Sequence, residues 1–165
     1  MAGDMFIKIE GGGIVGESSD SKHKEWIEIS SFSRGVTQAA GGQRSTSGAP
    51  AGARADFSDV TITKELDKAS PKLMIACAQA TALSKVTIEF CRAVGEKGKY
   101  MEYILEDAII SSVSTSGGGG GLPQESISFN YGKITEKYYL TDQKSGKLGG
   151  VGAECNWSTV ENAGA

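Results

Sequence analysis

The sequence predicts a mainly β domain, a closed barrel or a sandwich with one short helix, and three observations carry that prediction. Most patterned segments alternate apolar and polar residues at period two, glycine-rich stretches separate them, and a single segment has helical spacing. Strict alternation sets one face on a core and the other on water, as in half-buried strands. Seven or so such strands with no βαβ alternation mean a barrel or a sandwich. The 165 residues fit one domain, 1–165, at ~150 residues per domain. A chain of this length buries roughly two-thirds of its unfolded surface, so one core suffices without staples.

Taken in order, Met5, Ile7 and Ile9 share one face of the first strand, with Lys8 and Glu10 on the other. Gly11, Gly13 and Gly16 then satisfy G-x-G-x-x-G, but residues 17–24 lack the apolar stripe of the helix that a dinucleotide site requires. A turn is predicted there. Residues 26–38 read as further strand. Residues 39–56 are eighteen small or polar residues, longer than the ~12–15 beyond which a structureless insertion is functional or disordered. Val60 and Ile62 alternate with Thr61 and Thr63, and Val86, Ile88 and Phe90 with Thr87, Glu89 and Cys91. Between them Ser70 and Pro71 offer an N-cap and a first-turn proline, followed by Leu73, Met74 and Cys77 at helical spacing to about Thr81. This helix reads as a plug or lid on an open barrel end. Residues 100–116 are long for one strand, and their parity drifts at Glu106, Asp107 and Ala108, which predicts a bulge or corner. The glycines 117–121 read as a turn, after which Ile127, Phe129 and Tyr131 alternate with Ser126, Ser128 and Asn130. Residues 141–165 form a glycine-rich C-terminal segment anchored by Trp157, whose last residues are expected to fray.

Composition argues against several function classes. With 17 basic and 20 acidic residues the net charge is −3, so non-specific phosphate binding is not expected, and the dispersed lysines read as a solvated surface rather than a nucleic-acid track. No apolar run reaches the ~20 residues that span a bilayer, and the N-terminus does not read as a secretory signal, so no membrane insertion is expected. Cys77, Cys91 and Cys155 are an odd, widely spaced set that gives neither a disulfide framework nor a CxxC metal ribbon, and a reducing compartment is expected. One histidine, His23, precludes multi-histidine metal sites and is the sole candidate base for a catalytic triad, yet it lies between Lys22 and Lys24 in a charged segment. No G-x-S-x-G elbow is present, and Glu106 and Asp107 point to opposite faces of a strand. No catalytic residue, cofactor or metal is predicted.

Several strands carry small hydroxyl or amide side chains opposite their apolar face. Ser31 and Ser33 flank Phe32, Thr61 and Thr63 oppose Val60 and Ile62, and Ser126, Ser128 and Asn130 oppose Phe129. Faces so uncharged and short suit a surface that meets water closely without binding strongly, such as a channel lining. Strands merely rich in serine and threonine would look the same.

The residues that carry a resemblance run through most of the chain. They are Asp4 to Gly11, Gly16-Glu17-Ser18, His23-Lys24-Glu25-Trp26-Ile27-Glu28-Ile29 and Phe32-Ser33-Arg34-Gly35-Val36-Thr37-Gln38. Further on come Thr63-Lys64, Leu66-Asp67-Lys68-Ala69-Ser70-Pro71-Lys72-Leu73, Glu102-Tyr103, Ile110 to Thr115, Leu122 to Ser126 and Phe129-Asn130-Tyr131. In order and spacing these resemble the hemolysin-coregulated protein (Hcp) family. Departures are an added glycine pair near Gly11, Arg34 where the family often has an aromatic, and the variable 39–56 loop.

The resemblance implies a closed β-barrel of two packed antiparallel sheets with a flanking helix, six copies of which form a ring. Stacked rings make the inner tube of the type VI secretion machine, with its spike or tip protein and contractile sheath as partners and effector proteins in the lumen. The implied protein is not an enzyme, assembles in the cytoplasm and is then secreted without a cleaved signal peptide. Residues 39–56 fall where the family has an extended inter-ring loop, which makes Gln43, Arg44, Ser45, Thr46, Ser47 and Arg54 candidate inter-ring residues. Parity turns Ser31 and Ser33 away from the core, as candidate effector-facing residues. The tail tube of a phage-like contractile particle has the same architecture, and a monomeric lipocalin-like barrel is the rival from another class.

Overall fold

The computed structural model describes residues 3–39, 54–92, 98–142, 144–145 and 147–165. Among them are eleven strands, β1 (Gly3–Glu10), β2 (Ile27–Ile29), β3 (Ser31–Ser33), β4 (Val36–Thr37), β5 (Asp56–Phe57), β6 (Val60–Glu65), β7 (Leu83–Arg92), β8 (Gly98–Ser116), β9 (Gln124–Thr141), β10 (Leu148–Ser158) and β11 (Ala163–Gly164), with one helix, α1 (Ser70–Ala78). More strands appear than the alternation predicts, because residues 26–38 divide into three short pieces and the glycine-rich C-terminal segment pairs as well.

All ladders are antiparallel, and β8 and β9 organise them. The two pair along most of their length, from Met101 opposite Tyr138 to Ser116 opposite Gln124. The far edge of β9 takes β6 along its first half and β10 along its second. The far edge of β8 takes β7 from Gly98 to Ala108. From there the sheet continues through β1 to β2, while β6 carries β3. Nine strands therefore make one curled sheet, and β4 with β5 makes a second, two-stranded one.

The expected closed barrel is open. No ladder joins β2 to β6 among the described residues; the chain itself crosses the seam at Ser30, whose N–H donates to Thr63 O at 2.7 Å. At three residues each, β2 and β3 are too short to complete a continuous ladder, so one bend replaces it.

Alternation translates directly into burial. Ile127, Phe129 and Tyr131 are buried while Ser126, Ser128 and Asn130 are not, and Ile7, Ile9, Val60, Ile62, Val86 and Ile88 enter the same core. Burying each such side chain contributes about 1.5–3 kcal/mol. In β8 the parity breaks where predicted. Leu105 and Ala108 are both buried, and between them Asp107 takes φ 54°, accommodated because its neighbour Gly132 has no Cβ to crowd it. A second irregularity at Ser111 shifts the register between Ile110 and Ser112.

The Gly11–Gly13 run is a turn with φ of 125°, 66° and 65°, and no helix follows it before β2. On α1 the expected N-cap is corrected: the cap position is Ala69, and Ser70 begins the helix with its hydroxyl engaged elsewhere. Leu73 and Ala76 are buried, whereas Met74 faces solvent. The expected fraying of the C-terminus is also corrected. Asn156 and Ala165 exchange both backbone hydrogen bonds at 2.8 and 3.1 Å, and Trp157 stacks on Phe57 with centroids 6.0 Å apart.

Candidate functional site

The register aligns the small hydroxyl residues into two rows across four adjacent strands. Ser31, Thr63, Ser126 and Ser114 pair in succession across β3, β6, β9 and β8, and Ser33, Thr61, Ser128 and Ser112 do the same two residues along. Each strand places them opposite its buried face, so the rows lie on one surface of the sheet. Ser31, Ser33, Ser112 and Ser114 are exposed, and the four central residues are half-buried.

Four of these eight hydroxyls bond one another in pairs. Ser31 Oγ lies 2.6 Å from Thr63 Oγ1, and Thr61 Oγ1 lies 2.9 Å from Ser128 Oγ. Near the β5 end, Ser111 Oγ donates to Asp59 Oδ2 at 2.6 Å and Asn130 Nδ2 donates to Asp59 Oδ1 at 3.1 Å. The Tyr131 hydroxyl beneath donates to Ser58 O at 3.0 Å. Burial pushes its pKa above the ordinary value, the Arg34 charge opposes that, and Asp59 adds to it. Hydroxyls bonded to hydroxyls lack the adjacent base that activates a nucleophile. The two rows are uncharged and present short hydroxyl side chains, four of them exposed.

The far end of the rows is locked by a buried charge. Lys64 continues the core parity of Val60 and Ile62 and is fully buried, with its Nζ 2.7 Å from Glu125 Oε2, 2.9 Å from Asp67 Oδ1 and 2.9 Å from Glu65 O. Ser70 Oγ donates to the same Glu125 oxygen at 2.7 Å, which ties α1 to β6 and β9.

The sequence-predicted residues fall out unevenly. Ser31 and Ser33 lie on the hydroxyl face as expected. Gln43, Arg44, Ser45, Thr46 and Ser47 lie outside the described residues. Arg54 is described, and its guanidinium donates to Thr159 O. Arg34 finds an aromatic setting after all: its guanidinium sits 5.2 Å from the Tyr103 centroid and pairs with Glu136. Parity reasoning missed Ser112 and Ser114, because the break at Asp107 and Ser111 reassigns faces; the alternation of Ser112, Val113 and Ser114 was the available signal.

A family profile described as "Type VI secretion system effector, Hcp" matches residues 6–138. The chain belongs to the Hcp family. It is 32% identical over 167 residues to "Protein hcp1" of Pseudomonas aeruginosa, covering all of both chains. It is 33% identical over 130 residues to the "Major exported protein" of the same organism, covering 73% of each. Among solved structures, a "type six secretion system protein" superposes with a TM-score of 0.91 at 34% identity, covering 99% of this chain and 100% of that one. Hcp proteins are structural components of type VI secretion, form oligomeric rings and are not enzymes. The mainly β architecture with one helix is the Hcp fold.

Proposed function

We propose that this Hcp chain is one of six wedges in a ring, that such rings stack into the inner tube of the secretion machine, and that its two hydroxyl rows line the bore. The observation that carries the reading is the four-stranded sheet β3-β6-β9-β8. Among the described residues its two outer edges, β3 and residues 109–116 of β8, have no strand beyond them. Four antiparallel strands are an even number, so these edges run in opposite directions. Copies related by rotation can then join β8 to the next β3 and keep the antiparallel alternation, which is the heterologous, closing contact a ring requires.

The dimensions are consistent with a wide bore. Six copies of four strands at about 4.8 Å spacing make a circumference of about 115 Å, or about 37 Å across between backbones before strand tilt widens it. Small hydroxyls keep that bore open and wet, and a folded effector touching them through water is released readily. Ser31 and Ser33 are the effector-facing residues in this reading. Residues 43–47 and Arg54 belong to the loop that reaches the adjacent ring. The spike or tip protein and the contractile sheath are the partners of the assembled tube, which forms in the cytoplasm and is exported without a cleaved signal.

Mass decides first. With 17.2 kDa per chain, light scattering on the purified protein should give six times that, 103.2 kDa. A monomer at every concentration would refute the ring and favour a solitary barrel. Replacing Ser33 with Trp should preserve the ring mass and abolish co-purification of effectors, and unchanged co-purification would remove Ser33 from the lumen.

A further inference from the structure

His23 lies far from the hydroxyl face, on the outer side of β1 and β7 beneath the segment 16–26. It is 3% exposed, and its ring is clamped between Phe6, stacked at 4.2 Å and 4° between planes, and the edge of Trp26 at 4.8 Å. The segment that carries it is itself braced: Gly16 N–H donates to Glu25 O at 2.9 Å, Glu25 N–H to Ser18 O at 3.0 Å, and Ser18 N–H to Trp26 O at 3.0 Å. The imidazole therefore cannot turn, and what its two nitrogens meet is fixed.

Nδ1 lies 2.9 Å from Asp20 Oδ1, an oxygen that also accepts from the Lys22 backbone N–H at 3.1 Å. A carboxylate there accepts a hydrogen bond from Nδ1–H, and in the neutral imidazole this places the lone pair on Nε2, pointing the other way. That lone pair faces Glu89 Oε2 at 2.6 Å and Cys91 Sγ at 3.8 Å, and the three atoms lie within 4.8 Å of one another. At 2.6 Å the pair is itself a hydrogen bond whenever Nε2 carries a proton, so an ion enters only by replacing that proton. A sulfur as the third neighbour favours the metal: a tetrahedral ion with ordinary bond lengths separates N and S by about 3.6 Å and N and O by about 3.3 Å. The first is close to the 3.8 Å present, and the second requires the Glu89 carboxylate to give up its hydrogen bond and withdraw from Nε2 by about 0.7 Å. Lys99 Nζ holds the other oxygen, Oε1, at 3.5 Å, so Oε2 remains for the ion.

We propose that His23 Nε2, Glu89 Oε2 and Cys91 Sγ form a binding site for one divalent, borderline-soft cation of the zinc type, with Asp20 positioning the imidazole. Thiolate and carboxylate together neutralise the ion, imidazole completes a mixed N/S/O set, and the fourth position is left to water. The site pins residues 16–26 onto β1 and β7. His23 and Cys91 are buried and Glu89 is half-buried, so water reaches the site on the Glu89 side.

The test uses the purified full-length ring and cobalt(II) as a spectroscopic substitute for zinc. Expected are one cobalt per chain, a thiolate-to-cobalt charge-transfer band in the near ultraviolet, and competition by zinc. Zinc at 100 times its dissociation constant should raise the melting temperature by about 5–10 °C. Cys91→Ala should remove the band and weaken binding at least tenfold while keeping the ring mass, since alanine is tolerated in an apolar site; His23→Gln should do the same. Binding without a thiolate band, or no binding by the wild-type ring, would overturn the proposal and leave a proton between His23 and Glu89. Should His23→Gln fail to fold, the wild-type spectrum and Cys91→Ala decide alone. None of these readings depends on whether the ring stacks or carries effectors.

Discussion

Lys64 is the residue on which the interior is most exposed to damage. Its ammonium is wholly buried and held by Glu125, Asp67, Ser70 and the Glu65 carbonyl. Removing one partner of such a pair leaves the other charged and desolvated, which costs about 3–5 kcal/mol. Lys64→Met should therefore lower stability by that amount in denaturant titration, whereas Lys64→Met with Glu125→Leu should recover most of it. Tyr131 supplies a second prediction. Its folded pKa is raised by burial, so the folded state keeps a proton that the unfolded chain loses near the ordinary value of 10.0. Stability conferred below that pH is then lost as pH rises beyond it. Tyr131→Phe should flatten part of this alkaline decline, as followed by thermal melts above pH 9. At this scale the sequence was legible wherever parity held, as for Ser31, Ser33, Thr61 and Ser128. It was illegible at Lys64, a charge in a core position whose partner Glu125 lies 61 residues away. The same reason hid the His23 cluster, since Glu89 is 66 residues from His23.

Elements repeat the contrast between local and distant information. The start of α1 was visible in Ser70 and Pro71, and its exit follows a pattern that backbone geometry explains. Thr81 N–H donates to Ala76 O at 2.9 Å and Ala80 N–H to Cys77 O at 3.1 Å, a Schellman closure in which Ala80 takes φ 49°. A non-glycine residue pays about 1–2 kcal/mol in that left-handed conformation, part of which glycine returns through the entropy of its unfolded chain. Ala80→Gly should accordingly stabilise the protein by about 0.5–1 kcal/mol, seen as a rise of roughly 1–4 °C in melting temperature. A fall instead would mean that the cap is held by something other than its dihedral preference. Strands β1, β6, β7 and the first half of β9 announced themselves by alternation. Strand β10 did not, because its 11 residues include Gly149, Gly150 and Gly152, and it pairs with the second half of β9 on one edge and the two-residue β11 on the other. The open seam at Ser30 was likewise beyond reach, since the sequence shows periods and turns but not which distant edges meet.

For the whole molecule, the question is what holds copies together and how that differs from what stacks them. Six chains of charge −3 carry −18, yet with a Debye length of about 8 Å at physiological salt most of that repulsion is screened between separated surfaces. Edge-to-edge backbone hydrogen bonds barely sense salt, so ring mass should stay constant with ionic strength while longer stacks respond to it. The decisive test concerns the edges themselves. A slip of one residue between neighbouring copies would turn every hydroxyl from the bore into the core, so permitted registers differ only in steps of two. In the registers that make the two rows continuous from copy to copy, Ser31 or Ser33 on one copy faces Ser112 or Ser114 on the next. Facing Cβ atoms across antiparallel strands lie about 4.5–5.5 Å apart, near enough for a disulfide after small adjustment. With Cys155 replaced by Ser, at least one of the four pairings of Ser31→Cys or Ser33→Cys with Ser112→Cys or Ser114→Cys should oxidise to a covalent ladder ending at the hexamer on a non-reducing gel, Ser31 with Ser114 and Ser33 with Ser112 reporting the same register. Single-cysteine controls should give none. Rings of full mass that yield no ladder in any register would show that subunits meet through other surfaces, and the hydroxyl rows would then not form one continuous lining.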